Sequence, residues 1–224
     1  MEVLGIFFVE VIMLFFLSQS LTRALSSWFY YLFKNHAIVI HLMSILFLPG
    51  VILHELSHLL TASIFFVPTG EIEFLPEIRG NEVKMGSVTI ASTDPLRRFI
   101  IGVAPLFGGL SILFLLFWFF LPTLTPFSWQ TAVLLYAVFE ISNTMFSSRK
   151  DMEGAIGLLI VGAVFVAILL FLRVDLWGIL NTWIENIFVY SLFVAMSWCL
   201  GIALGLDIVI LLLTKGILRL HKLG

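Results

Sequence analysis

Long apolar runs separated by short polar stretches dominate the chain. About 20 consecutive apolar residues are enough to cross the hydrocarbon core of a bilayer as a helix. We therefore predict about six membrane-spanning helices, over residues 3–22, 37–67, 96–121, 128–147, 154–173 and 186–214. Residues 175–185 between the last two runs could form an interfacial helix, because they include Trp177 and Trp183. The pattern predicts an all-α polytopic membrane protein.

The one sizeable polar stretch lies between the second and third predicted spans. Residues 71–75 and 83–91 alternate in polarity as strands do, and Arg79-Gly80-Asn81 between them is a plausible turn. We expect a short β-hairpin over residues 70–91. It is either a surface feature without a role or an edge that pairs with an unwound substrate segment, because strand addition holds a peptide extended.

The composition agrees with a membrane protein. The chain has 224 residues, of which 61% are hydrophobic and 12% charged, and its mean hydropathy is +1.12. These values exclude a soluble globular domain. The formal charge of −2 gives no indication of nucleic-acid binding, and the single cysteine, Cys199, excludes a disulfide framework and a cysteine zinc site. We treat residues 1–224 as a single membrane-embedded domain, and its oligomeric state does not follow from the sequence.

The basic residues predict an orientation. With six spans, three fall on one side of the membrane, Arg23, Lys34 and Arg173. Nine fall on the other side: Arg79, Lys84, Arg97, Arg98, Arg149, Lys150, Lys215, Arg219 and Lys222. Because loops rich in lysine and arginine stay in the cytoplasm, this division predicts a multi-pass protein of the cell membrane with both termini cytoplasmic. The hairpin would lie on the cytoplasmic side.

The second predicted span contains the motif His54-Glu55-Leu56-Ser57-His58. Residues four apart share a face of a helix, so both imidazoles can bind one Zn²⁺ ion. Glu55 can then take a proton from the attacking water. Two histidines and a glutamate at membrane depth must be satisfied by partners, which disfavours an inert motif. The motif predicts a zinc hydrolase that acts within or near the bilayer.

Catalytic zinc usually has three protein ligands and one open position. Asp151 is the preferred third ligand, because it follows the fourth span on the side where the second span ends. Its alternative role is that of an acid interacting with a helix dipole. Other acids and histidines remain candidates: His36, His41, Asp94, Glu140, Asp207 and the hairpin glutamates. No role follows for Glu10, which lies within the first span.

This ordered set of residues resembles the site-2 proteases, zinc proteases that cut membrane-spanning helices. Their HExxH span precedes one that starts with a Gly-Pro-containing segment, and an Asn precedes a metal-binding Asp by eight residues. Here these are Gly102-Val103-Ala104-Pro105-Leu106, then Asn143 and Asp151. The resemblance covers residues 37–155. It departs at Ala104 before Pro105, at Phe146 where the family has Pro, and at Met152 where it has Gly.

The resemblance implies an activity and a role for each residue. His54, His58 and Asp151 would bind zinc, Glu55 would be the catalytic base, and Asn143 would bind the substrate backbone or the oxyanion. Asn143 could instead join two helices. Glu140 could orient a histidine ligand or line a water path. The substrate would be a transmembrane or signal-peptide-like helix in the lipid bilayer.

Two alternatives stay open. One is a membrane-embedded metalloprotease that cuts soluble or lipidated peptides at the cytoplasmic face. The other is a non-catalytic membrane scaffold or transporter with a metal site. An intact Glu55 favours the enzymes, because a structural metal site needs no base.

Overall fold

The computed structural model describes residues 2–79, 82–120, 125, 128–146, 148, 151, 155–184 and 186–220, and of residues 74–79, 82–85, 155–159, 179, 180 and 184 it describes the backbone alone. Most of this part of the chain is helical. The helices are α1 (Glu2–Phe33), α2 (His36–Ile64), α3 (Pro95–Phe120), α4 (Trp129–Thr144), α5 (Ala155–Phe171), α6 (Leu176–Ile184) and α7 (Ile187–Leu220).

Several of these helices can cross a membrane, so the protein is a multi-pass membrane protein by length and composition. Within the described ranges α1, α2, α3 and α7 are long and apolar enough to cross, and the pair α5–α6, which bends by 112°, is a possible fifth crossing. The predicted number was six. The helix α4 has only 16 residues, fewer than the roughly 20 that a full crossing requires.

The first helix is longer than the sequence pattern predicted. It continues past Arg23 to Phe33, and the chain then reverses at Lys34, whose φ of 51° is in the left-handed region. Asn35 caps the next helix, since its Oδ1 accepts a hydrogen bond of 2.9 Å from the Ala37 amide. The helix α2 therefore runs antiparallel to α1.

The helices α1 and α7 pack together in parallel. Near their starts the rings of Phe7 and Phe193 lie 5.1 Å apart. Further along, a Cβ built at Gly201 would lie 3.8 Å from Oε1 of Glu10. Toward their ends the two helices share a second hydrophobic cluster, which includes Leu21, Leu25, Leu206 and Ile210. Residue numbers rise together along both helices, so their N-terminal ends lie at the same end of the bundle.

This parallel packing does not agree with two cytoplasmic termini. If α1 and α7 both cross the membrane, the end of α7 lies on the side opposite the start of α1. Lys215 and Arg219 are then on the side of Lys34, and the nine-to-three division of basic residues no longer holds. The sequence count assumed that each of the six predicted runs crosses once, whereas α4 has only 16 residues and the pair α5–α6 bends by 112°.

The polar stretch after α2 forms an antiparallel hairpin. Its strands are β1 (Thr69–Arg79) and β2 (Glu82–Ile90), with Glu73 opposite Ser87 and Arg79 opposite Glu82. Gly80 and Asn81 of the expected turn lie outside the described residues. The register shifts between Glu73 and Pro76. Both strands pack against α2.

Small residues let α3 approach its neighbours closely. A Cβ at Gly108 would lie 2.5 Å from Oγ of Ser57 on α2, and one at Gly109 would lie 2.5 Å from Cβ of Met145. The main hydrophobic core lies where α1, α3, α4 and α7 meet, around Leu14, Leu113, Ile141 and Leu200. The centre of the bundle is therefore closely packed, which fixes the backbone around the HExxH turn.

Candidate metal centre

The two histidines of the motif lie one turn apart on the same face of α2. Their ring centroids are 4.9 Å apart, and the two Nε2 atoms are 3.2 Å apart. The side chain of His58 is 4% exposed and that of His54 is 14% exposed. Both imidazoles thus present the same nitrogen to a common point inside the protein.

Backbone carbonyl groups of two different helices orient these rings. Nδ1 of His54 lies 2.7 Å from the Thr144 carbonyl oxygen of α4, and Nδ1 of His58 lies 2.8 Å from the Ile101 carbonyl oxygen of α3. A carbonyl oxygen only accepts, so each Nδ1 carries the proton and donates it. Each Nε2 is therefore left with a free lone pair, which is the arrangement of a metal-binding histidine.

Asp151 brings a carboxylate to the same point from the segment that follows α4. Its Oδ2 is 3.7 Å from Nε2 of His54, and its Oδ1 is 3.6 Å from Nε2 of His58. The Ser148 amide donates a 2.6 Å hydrogen bond to Oδ2. The Asp151 backbone packs against Gly102 of α3, where a Cβ would collide with the Asp151 carbonyl oxygen.

The surroundings of Asp151 keep it ionised. Burial raises the pKa of Asp151, but the hydrogen bond from the Ser148 amide and the neighbouring imidazoles of His54 and His58 outweigh it, and the pKa is lowered to about 2. An ionised carboxylate accepts on both oxygens. Asp151 can therefore bind a cation at neutral pH without losing a proton.

The geometry of these three residues fits a metal ion. With one ligand atom from each residue, all three atoms lie within 4.8 Å of one another. The two Nε2 atoms are 3.2 Å apart, and each has a different Asp151 oxygen as its neighbour, at 3.7 Å for His54 and 3.6 Å for His58. A tetrahedral ion with bonds of about 2.0–2.2 Å holds its ligand atoms about 3.3–3.6 Å apart. Two imidazole nitrogens and a carboxylate oxygen also match the donors of catalytic zinc sites, which leave a fourth position open.

Glu55 lies beside this centre and against the hairpin. It is 7% exposed. A Cβ at Gly86 of β2 would lie 3.3 Å from Oε1 of Glu55 and 2.7 Å from Cγ1 of Val51. Gly86 has a φ of 99°, which favours glycine. Sequence analysis gave Gly86 no role, although a glycine within a strand pattern often marks the close approach of another group.

Asn143 is not brought together with the metal ligands. Its Nδ2 donates hydrogen bonds to Oδ1 of Asp207 on α7, at 2.8 Å, and to the Phe139 carbonyl oxygen, at 2.9 Å. Its side chain also borders a cleft of about 420 Å³ that is lined by Phe15, Ser18, Gln19, Thr22, Arg23 and Phe146. This position agrees with the alternative role of joining two helices.

The other candidate ligands have different partners. His36 stacks on Tyr30 at 4.4 Å, and Nδ1 of His41 bonds the carbonyl oxygen of Ala37. Asp94 accepts a hydrogen bond from the Arg97 amide at the start of α3, and Oε2 of Glu140 accepts one from the Gly50 amide. Within the described part of the chain, His54, His58 and Asp151 are the one group of three that could hold a metal ion.

Comparisons with protein-family models, with curated proteins and with solved structures found no match to this chain. The case for a function therefore depends on the geometry of the site.

Proposed function

We propose that this protein is an intramembrane zinc endopeptidase, similar to the site-2 proteases, that hydrolyses peptide bonds in or near transmembrane helices. One observation supports the proposal: the His54, His58 and Asp151 donors converge at the turn of α2 that contains Glu55, and α2 is long and apolar enough to cross a membrane. His54 and His58 precede the last residue of α2, Ile64, by ten and six residues. At 1.5 Å per residue the centre lies about 9–15 Å from that helix end.

Each residue has a defined part in the proposed reaction. His54, His58 and Asp151 would hold the zinc ion, which supplies Lewis acidity for the scissile carbonyl and lowers the pKa of water. Glu55 accepts a proton from the attacking water as the water oxygen adds to the carbonyl carbon. It then gives that proton to the amide nitrogen as the carbon–nitrogen bond breaks. The products are a new carboxylate and a new amine.

The hairpin is our proposed binding site for the substrate backbone. Each strand of a two-stranded sheet has an edge that its partner does not occupy, and an extended peptide can pair with such an edge. Gly86 brings β2 to Glu55, so a peptide held there would lie near the base. A substrate helix must unwind to pair, so we expect glycine, proline or asparagine near the cleavage point to favour cutting.

We propose that the chain crosses the membrane five times. The helices α1, α2, α3 and α7 each cross once, and α4 together with the pair α5–α6 makes the crossing between α3 and α7. An odd number agrees with parallel α1 and α7. The hairpin, Arg97 and Arg98 lie between α2 and α3, and we assign this side to the cytoplasm. The N-terminus of α1 shares that side and the C-terminal end of α7 does not.

The replacement Glu55→Gln tests the proposal. The purified protein would be reconstituted in liposomes with a single-span reporter peptide, and zinc content and cleavage would be measured on the same sample. We expect one zinc per chain in both forms and a loss of cleavage of about 10²–10⁴-fold in the variant. The control is Glu2→Gln, an exposed glutamate at the start of α1.

Persistent cleavage by the Glu55→Gln variant, or wild-type protein without zinc, would contradict the proposal. A second substrate, the same cleavage sequence without its apolar span, tests the location of the reaction. Equal cleavage of this soluble peptide would favour a protease that acts at the membrane surface.

A further inference from the structure

The metal-binding helix α2 contains a weak point one turn before His54. Pro49 lies inside the helix. A proline has no N–H, so the Ile45 carbonyl loses its helical donor, and the proline ring disturbs the preceding turn, in which the Gly50 amide and the Leu46 carbonyl are the next pair of groups. Within a bilayer these two groups find no water, so each needs a protein partner.

Both groups have a partner on α4. The Tyr136 hydroxyl donates a hydrogen bond of 2.8 Å to the Leu46 carbonyl oxygen. Oε2 of Glu140 accepts a hydrogen bond of 2.7 Å from the Gly50 amide. Tyr136 and Glu140 are four residues apart, so they lie on one face of α4. One helix thus supplies a donor and an acceptor to the two atoms that the proline affects.

The same face of α4 also orients a metal ligand. The hydrogen bond from His54 to the Thr144 carbonyl oxygen lies one turn beyond the Glu140–Gly50 bond. All three bonds join residues that are 90 positions apart in the chain. The helices α2 and α4 therefore run parallel in fixed register around Pro49.

Gly50 makes this close contact possible. A Cβ at that position would lie 2.9 Å from the Glu140 carbonyl oxygen and would collide with the Thr144 side chain. Glu140 itself is 1% exposed, so its carboxyl group is held between the helices. A change in the direction of α2 at Pro49 would move His54 relative to both Thr144 and the other two ligands.

We propose that Tyr136 and Glu140 are positioning residues that hold α2 in place on either side of Pro49 and thereby place Nε2 of His54 at the metal centre. This inference rests on the proposed metal site. It differs from the expected role of Glu140 as a direct partner of a histidine, because Glu140 acts through the backbone of α2.

Zinc affinity, measured by competition with a chelator on the protein in nanodiscs, tests this inference. Glu140→Leu keeps a similar size but removes the acceptor, and we expect zinc affinity to fall by about 10-fold, within the 10–100-fold typical for partners of metal ligands. Glu140→Gln keeps an acceptor oxygen and should stay within about two-fold of wild type. Tyr136→Phe should lower affinity in the same direction by a smaller factor.

Two control variants remove similar groups elsewhere. Ser142→Ala deletes a buried hydroxyl on α4 that bonds the Phe139 carbonyl of its own helix. Tyr190→Phe deletes the hydroxyl of an exposed tyrosine on α7. Neither should change zinc affinity. In a Pro49→Ala background, which restores a continuous hydrogen-bond ladder, Glu140→Leu should cost less zinc affinity than it does in the wild type.

Three results would overturn the inference: wild-type zinc affinity in a folded Glu140→Leu variant, equal losses in the Gln and Leu variants, or an undiminished effect after Pro49→Ala. If Glu140→Leu does not fold, the zinc affinities of Tyr136→Phe and Tyr190→Phe are compared instead. Equal affinities would contradict the positioning role of Tyr136 and Glu140. These readouts need no cleavage. If the Tyr136 and Glu140 variants change zinc affinity as expected but the wild type cuts no reporter peptide, the proposed function is contradicted. The positioning role of Tyr136 and Glu140 would then still stand.

Discussion

The bundle contains two polar clusters, the metal centre of His54, His58 and Asp151 and a second cluster of Asn143 and Asp207. They differ in the direction of their unshared electron pairs. At the metal centre, His54 and His58 are fixed through Nδ1, and their Nε2 atoms and the Asp151 carboxylate converge on one point. In the second cluster, Asn143 and Asp207 bond each other. Asn143 Oδ1 and Asp207 Oδ2 are buried without a hydrogen-bond partner among the described residues.

This difference shows why polarity inside a membrane does not by itself identify a reactive site. The first cluster leaves its lone pairs directed at a space that a cation can share. The second uses its strongest donor for a bond between α4 and α7, and so acts as a contact between helices. The orientation of each group, set by the backbone around it, separates the two roles.

The largest expected difference in zinc affinity is between variants that lack the carboxylate of the metal centre and variants that lack the carboxylate of the second cluster. Asp151→Ala deletes a metal ligand, so zinc affinity should fall by more than the roughly 100-fold upper range for groups outside the ligand sphere. Asp207→Asn should leave zinc affinity unchanged. Chelator competition measures both. The control is Asp94→Ala, which removes an exposed cap. Equal losses in the Asp151 and Asp207 variants would erase the distinction between the clusters.

Gly86→Ala tests whether the hairpin belongs to the metal cluster. A methyl group there would meet Val51 and Glu55, and a side chain at a φ of 99° costs about 1–2 kcal/mol. We expect cleavage to fall about 10-fold or more while zinc stays bound. Gly70→Ala, whose Cβ would meet only Thr89, serves as the matched variant. Full activity in Gly86→Ala would separate the hairpin from the reaction.

Gly102→Ala tests the support beneath Asp151. The added methyl group collides with the Asp151 backbone, which must move away from the histidines. We expect zinc affinity to fall about 10-fold, as for other groups that orient ligands. At Gly205 of α7 a Cβ meets nothing within 4 Å, so Gly205→Ala should bind zinc normally. An unchanged affinity in Gly102→Ala would show that α3 does not fix the third ligand.

The smallest effect is expected at the second cluster. Asn143→Leu removes the bond to Asp207 and should lower stability in the membrane by about 0.6 kcal/mol, the average for hydrogen bonds between membrane helices, and by no more than about 1.7 kcal/mol. Zinc affinity should not change. Thermal unfolding in nanodiscs measures the loss, with Ser142→Ala as a comparison on the same helix. If Asn143→Leu instead abolished cleavage at wild-type stability, Asn143 would be assigned to catalysis.

The metal group was accessible from sequence because helical spacing brings His54 and His58 together without knowledge of the fold. Asp151 followed from chain order and from the resemblance to the site-2 proteases, in which an Asn precedes the metal-binding Asp by eight residues. The helical class and the antiparallel hairpin followed from the period of the apolar and polar residues. These features depend on local geometry, which a sequence records directly.

Features that depend on direction between distant helices were not accessible. Glu140 was expected to orient a histidine ligand or line a water path, but it accepts a hydrogen bond from Gly50 of α2, and Asn143, three residues later, bonds Asp207 of α7. The parallel packing of α1 and α7 depends on how the chain passes through α4, α5 and α6, and the pattern of apolar runs does not record which of them cross the membrane completely. The close approach of Gly86 to Glu55 depends on a positive φ that many glycines do not adopt.

The most direct test of the central claim is zinc K-edge X-ray absorption of the protein in lipid, compared with that of Asp151→Ala. We expect one zinc per chain with two imidazole nitrogens and carboxylate or water oxygens at about 2.0–2.2 Å. The variant should lose zinc or lose one oxygen scatterer. A spectrum without imidazole scattering, or one that Asp151→Ala leaves unchanged, would contradict a shared site of His54, His58 and Asp151.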